Sequence, residues 1–176
     1  MIAPLIAFSL VGLLIFYVQN LVLFPYVHLR LLALLLFYVG LGPSLSLTLA
    51  LSLALGCLQD SYATTPFGLH WGASLALVAM ARFSRRRLLH QALGLQALAS
   101  LAALALQEAC LLFGTFMLGD QPLFSYDLTA VHGMEILGTA ALGPLMHLLV
   151  QGVENSLHRL GWRPGSEPMP YQPFGQ

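Results

Sequence analysis

Apolar residues fill this chain in long runs, and a few polar breaks between them set the element plan. Residues 2–23 are almost continuously apolar and end in Gln19 and Asn20. A bilayer core takes roughly 20 such residues as one helix, so a first membrane helix is expected here. Pro25 closes it, because proline lacks a backbone donor and restrains the residue before it. Tyr26, His28 and Arg30 follow as interface anchors. The second run, 27–41, is short, and Arg30 must reach outward to water along its apolar stem. Gly42-Pro43-Ser44 then turns the chain into a third run, 44–59.

That third run alternates leucine, at every odd position from Leu45 to Leu55, with Ser46, Thr48, Ala50, Ser52 and Ala54. Alternation is the mark of a strand. A lone strand in lipid leaves its backbone unpaired, so a helix is the better expectation. As a helix the run carries two rows of small residues, Ser44-Thr48-Ser52-Gly56 and Ser46-Ala50-Ala54. Small residues let helix backbones approach closely, which predicts a central helix packed on two sides. A fourth helix, 67–83, opens on Gly68-x-x-x-Gly72 with Ala76, another close-packing row, and closes on Arg82-Phe83-Ser84-Arg85-Arg86-Arg87. Between these two helices lies a polar, turn-forming insert, Gly56 to Gly72, holding Asp60, Pro66, Gly68 and His70.

The fifth run, 90–118, carries Gln96, Gln107 and Glu108. An acidic loop, 119–130, holds Asp120, Pro122 and Asp127. The sixth run, 130–153, includes His132, Glu135 and His147, with a kink expected at Gly138 or Gly143-Pro144. Residues 1–160 thus read as one polytopic membrane domain. Residues 161–176, with Pro164, Pro168, Pro170 and Pro173, read as a disordered tail. The start Met1-Ile2-Ala3-Pro4 has no basic region, so the first helix is expected to remain uncleaved.

Composition agrees with this plan. The chain is 58% hydrophobic and 8% charged, with a mean hydropathy of +0.80, where soluble domains run nearer a quarter charged. All seven basic residues are arginines and seven acidic residues balance them, so bulk nucleic-acid binding is not expected. Arginine placement fixes the expected topology. Arg82, Arg85, Arg86, Arg87, Arg159 and Arg163 belong in the cytoplasm, which gives six helices with both termini inside. The insert and the acidic loop then lie on the outer side, with Arg30 as a single exception. If the second run does not span, five helices result and the N-terminus moves out. The Arg82–Arg87 cluster reads first as a membrane-surface anchor and second as a contact for anionic lipid or a cytoplasmic partner.

Candidate chemistry is sparse. Cys57 and Cys110 form no Cys-x-x-Cys motif and read as small core residues. Ser74 lacks the second glycine of a nucleophile elbow, and no His-Glu-x-x-His or phosphate-cradling loop occurs, so no enzyme and no cofactor are expected. His132-x-x-Glu135 has helical spacing but too few companion carboxylates for a metal site. Asp60, His70, Arg30, His132 and Glu135 are predicted at one outer depth. They either tie helix ends together or line a shallow cavity or docking groove. Glu108 lies about 15 Å below the outer end of its helix, where a lone carboxylate is costly. A structural bond to another helix is expected of it, with Glu108→Gln preserving assembly.

A helix ending Gly56-x-x-x-Asp60, a short polar turn, and Pro66-x-Gly68-Leu69-His70 opening the next helix resemble the bacterial rod shape-determining MreD family. The arginine cluster and the run ending Tyr38-Val39-Gly40-Leu41 fit as well, and the likeness is sharpest over residues 26–90. The resemblance implies a non-enzymatic scaffold of the cell-elongation complex in the inner membrane. Its implied partners are a bitopic MreC-like protein, the MreB cytoskeleton and the peptidoglycan synthases. The family is also similar in fold to the six-helix substrate-binding subunits of energy-coupling-factor transporters. The rival expectation is therefore a vitamin-like binding subunit of an uptake system, using an outer pocket.

Overall fold

A computed structural model describes residues 2–23, 29–63, 66–88, 93–118 and 126–162, with backbone alone at 22, 86–88, 93 and 126–131. Pro25, Tyr26, His28, Asp120, Pro122, Arg163 and the tail prolines therefore lie outside the described residues. Every regular element described is helical. Helix α1 (Ile2–Tyr17) continues as a π-helical turn over Val18–Leu23. It is followed by α2 (Leu31–Leu41), α3 (Leu45–Tyr62), α4 (Leu69–Leu88), α5 (Leu93–Met117), α6 (Tyr126–Ala141) and α7 (Gly143–Arg159).

The centre of the molecule is α2. Its sequence, LLALLLFYVGL, offers no polar face, and a helix apolar all round is a buried one. Leu32 to Leu41 are all buried, and α1, α3, α4, α5, α6 and α7 each pack against this helix. The expectation that α3 holds the centre is corrected. Its Thr48-Ser52-Gly56-Asp60 row is buried toward α4, but on the other row Ser46 and Ala54 are exposed. Its leucines divide the same way, with Leu47, Leu51 and Leu55 in the core and Leu45, Leu49 and Leu53 outside. Two leucine stripes, one facing protein and one facing out, are what alternation becomes at 3.6 residues per turn.

Among the described residues two helices, Ile2–Leu21 and Gly94–Met117, are long and apolar enough to cross a membrane. A third candidate forms if α6 and α7 count as one span, bent by 48°. The break lies at Leu142, with Pro144 in the first turn of α7, so the kink follows Gly143-Pro144 and not Gly138. The remaining helices differ for clear reasons. With 11 residues, α2 is about 16 Å long, too short for a bilayer core on its own. Helices α3 and α4 have 18 and 20 residues, but end in Gln59-Asp60 and in the arginine cluster and fall outside that class. The arginines do not stop α4 near Phe83, since the helix runs through them to Leu88.

Candidate functional site

The corner between α3 and α4 is organised by Asp60, whose side chain is fully enclosed at the end of α3. Its Oδ1 accepts from the His70 N–H at 2.9 Å, and its Oδ2 accepts from Gly68 at 3.0 Å and Trp71 at 3.2 Å. The first N–H groups of a helix have no partner inside it, and the helix dipole favours negative charge there. One helix therefore ends on a carboxylate that caps the next. The His70 ring adds a contact, with Nδ1 3.3 Å from Asp60 Oδ1.

Local sequence makes this geometry attainable. The Pro66 carbonyl accepts from Leu69 N–H at 3.4 Å and closes the turn. Gly68 has φ +100°, a backbone that residues with a Cβ avoid. At Gly56 an added Cβ would stand 2.9 Å from the Cα of Trp71, so glycine is what lets α3 and α4 touch. Gly72 differs, because open space surrounds it. The expected Gly68-x-x-x-Gly72 packing row is thus corrected: Gly68 precedes the helix, Gly72 points away, and Ala73, Ser74, Leu77 and Val78 form the buried face.

The arginine cluster divides. Arg82 turns inward, donating from Nη1 to the Gly42 carbonyl at 3.0 Å and from Nη2 to Thr48 Oγ1 at 3.3 Å. It ties α4 to the α2–α3 turn, so its expected role as a surface anchor is corrected. A cation there also meets the negative end of the α2 dipole. Arg85 lines a cavity of about 250 Å³ at this end, with Tyr38, Gln96, His147 and Glu154. The side chains of Arg86 and Arg87 lie outside the described residues.

At the other end of the bundle a polar cavity of about 330 Å³ opens among the π-helical turn, α2, α3, α4, α5 and α6. Arg30 enters it and pairs with Glu108, which ties the start of α2 to α5, while the contact of Asp60 is with His70. His132 Nδ1 stands 3.3 Å from Glu135 Oε2 and 3.7 Å from Glu108 Oε1, which joins α6 to the same group. Glu108 was expected to bond to another helix, and it does, through a partner that charge pairing alone did not single out. Gln19 Oε1 accepts from the Leu32 N–H at 3.2 Å, and Thr139 Oγ1 accepts from the Arg30 N–H at 3.1 Å. Neighbouring helices thus cap the N-terminus of α2.

Comparison with family models, with curated proteins and with solved structures finds no match.

Gln59 and Gln107 line the cavity too, and the Oε1 of each is buried with no hydrogen-bond partner among the described residues. Both were passed over as candidate site residues in the sequence, although a signal was present. Each stands directly before an acid, as Gln59-Asp60 and Gln107-Glu108, inside an otherwise apolar run. Among the described residues no three His, Cys, Asp or Glu side chains gather as a metal-holding group.

Proposed function

We propose that this chain is a non-enzymatic scaffold of the bacterial cell-elongation complex, related to MreD, multi-pass in the inner membrane with both termini cytoplasmic. The observation that carries the reading is the Asp60 corner. A buried carboxylate that accepts three backbone N–H bonds is chemically occupied and fixes an angle between two helices. A fixed angle is what a docking surface for a single-pass helix of an MreC-like partner requires. In this reading six helices, including short α2, make up a bundle similar to energy-coupling-factor substrate-binding subunits. MreB and the peptidoglycan synthases join through the bitopic partner, and the Arg82–Arg87 end faces the cytoplasm, with anionic lipid as a further contact. Affinity purification in mild detergent tests this. The expected result is a retained bitopic partner with wall synthases, and Asp60→Ala is expected to lower partner recovery more than it lowers protein level. Retention of transport ATPase components instead would overturn the scaffold reading.

A second reading, a small-molecule binding subunit for uptake, is favoured by the polar cavity of about 330 Å³. A solute released from the purified protein and matched to that cavity would support it.

A further inference from the structure

The cavity at the arginine end, about 250 Å³, lies between α2, α4, α5 and α7. Most of its polar lining is already engaged. The Tyr38 hydroxyl bonds to Ser100, and the Tyr38 ring lies 5.5 Å from that of His147. The Gly42 carbonyl accepts from Arg82, the Gln96 amide oxygen is sealed inside the protein, and Gln151 is exposed. Two charged side chains remain, Arg85 and Glu154, both half-buried. Among the described residues neither makes a hydrogen bond or an ion pair, with the other or with a third group. His158, one turn along α7, acts on Glu154 only as a charge when protonated, and its ring lies 5.6 Å from that of Trp162. A Cβ built on Gly42, the cap of α2, would stand 3.5 Å from Glu154 Oε1. This carboxylate thus sits at the negative end of the α2 dipole, where a cation is favoured. A desolvated charge without a partner is costly, and here two of opposite sign are held apart in one cavity. A lone anion suits Arg85 but is repelled by Glu154, and a lone cation meets the reverse.

We propose that this cavity binds a zwitterion, with a phosphate group on the Arg85 guanidinium and an ammonium group on the Glu154 carboxylate. The planar guanidinium fork matches phosphate oxygens, and the ammonium brings N–H donors to a carboxylate that has none. The volume of about 250 Å³ lies below that of ordinary ligand pockets and suits a headgroup. Two sources share this chemistry: the ethanolamine phosphate headgroup of a membrane lipid, and a free phosphodiester that carries an amine. The proposal goes beyond both readings above, because it uses neither the Asp60 corner nor the cavity beside Arg30.

Native mass spectrometry of the full chain in nanodiscs of phosphatidylethanolamine and phosphatidylglycerol tests the lipid source. Calorimetric titration of the detergent-purified chain with glycerophosphoethanolamine tests the free one. Dimethyl phosphate and ethanolammonium serve there as probes that carry one group each. Retention of phosphatidylethanolamine over phosphatidylglycerol supports the lipid, and saturable binding of glycerophosphoethanolamine supports the free zwitterion. Arg85→Gln is expected to weaken either response by about tenfold. Glu154→Gln is expected to weaken phosphatidylethanolamine about tenfold and to spare phosphatidylglycerol, which reverses the preference. A merely structural carboxylate would not reverse it. Arg159→Gln removes an exposed arginine of the same helix that does not line the cavity, and is expected to change neither response. Should Glu154→Gln fail to fold, the single-group probes decide on the native chain, where each is expected to bind at least tenfold more weakly than the zwitterion. Single-group probes that bind as well as the zwitterion, or no response to either source, overturn the proposal. A native preference for phosphatidylglycerol also overturns it, but keeps the anionic-lipid contact at the arginine cluster.

Discussion

Asp60 and the glycines around it work by opposite means, one by supplying acceptors and the other by omitting atoms. The carboxylate gathers three N–H groups at the start of α4, and Gly68 lets the chain arrive there with φ +100°. Nothing lies within 4 Å of a Cβ added at Gly68 or at Gly72, so neither site is limited by space. The backbone alone decides what a substitution does. Gly68→Ala forces a conformation that L-residues avoid, at about 1–2 kcal/mol. Gly72→Ala sits inside a helix and removes backbone entropy from the unfolded chain, a gain of about 0.5–1 kcal/mol. Thermal unfolding in detergent is therefore expected to shift in opposite directions for two glycines four residues apart. A loss of stability at both would restore the packing-motif interpretation. The sequence made these residues prominent but not their division, because the i, i+4 rule holds only where both positions are helical, and the helix starts at Leu69.

Among the elements, α2 depends on its neighbours at both ends. Gln19 and Thr139 receive the N–H groups at its start, and Arg82 donates to the Gly42 carbonyl just past its end. Arg82→Ala leaves that carbonyl and Thr48 without the guanidinium, and unfolding is expected to become easier by about 1–3 kcal/mol. Arg85→Ala, on a cavity wall, is expected to cost less than half as much. Equal effects would place the two arginines in the same role. Most helices were legible from sequence, since long apolar runs and the Gly143-Pro144 break carry direct physical signals. The place of α2 was not. All-round hydrophobicity looks the same whether a helix meets lipid or protein, so a short run next to an arginine suggested a weak span. Nor does a cluster of arginines reveal which one faces inward. That depends on the phase of α4 against α2, which only packing sets.

Across the whole molecule, the Arg30–Glu108 pair links the central helix to α5, and His132 with Glu135 extends the link to α6. The relative exposures of the paired side chains, 22% and 12%, put the pair between surface and interior. Paired charges at such depth contribute little net stability, because desolvation offsets attraction, yet removing one partner strands the other. This revises the expectation that Glu108→Gln preserves assembly. The amide keeps the shape but leaves Arg30 without its counter-charge, so the variant is expected to lose about 1–3 kcal/mol. Arg30→Met is expected to lose a similar amount by stranding Glu108, moderated by His132 nearby. The double variant Arg30→Met/Glu108→Met removes both charges and replaces them with apolar side chains of flexible shape. It is expected to unfold closer to the native chain than either single variant does, in a double-mutant cycle read by thermal unfolding. Additive losses would mean that the two groups act independently and that the bundle end is held by packing alone. Recovery would identify the pair as a device that sets how α2 and α5 meet, and with it the width of the cavity mouth beside Arg30.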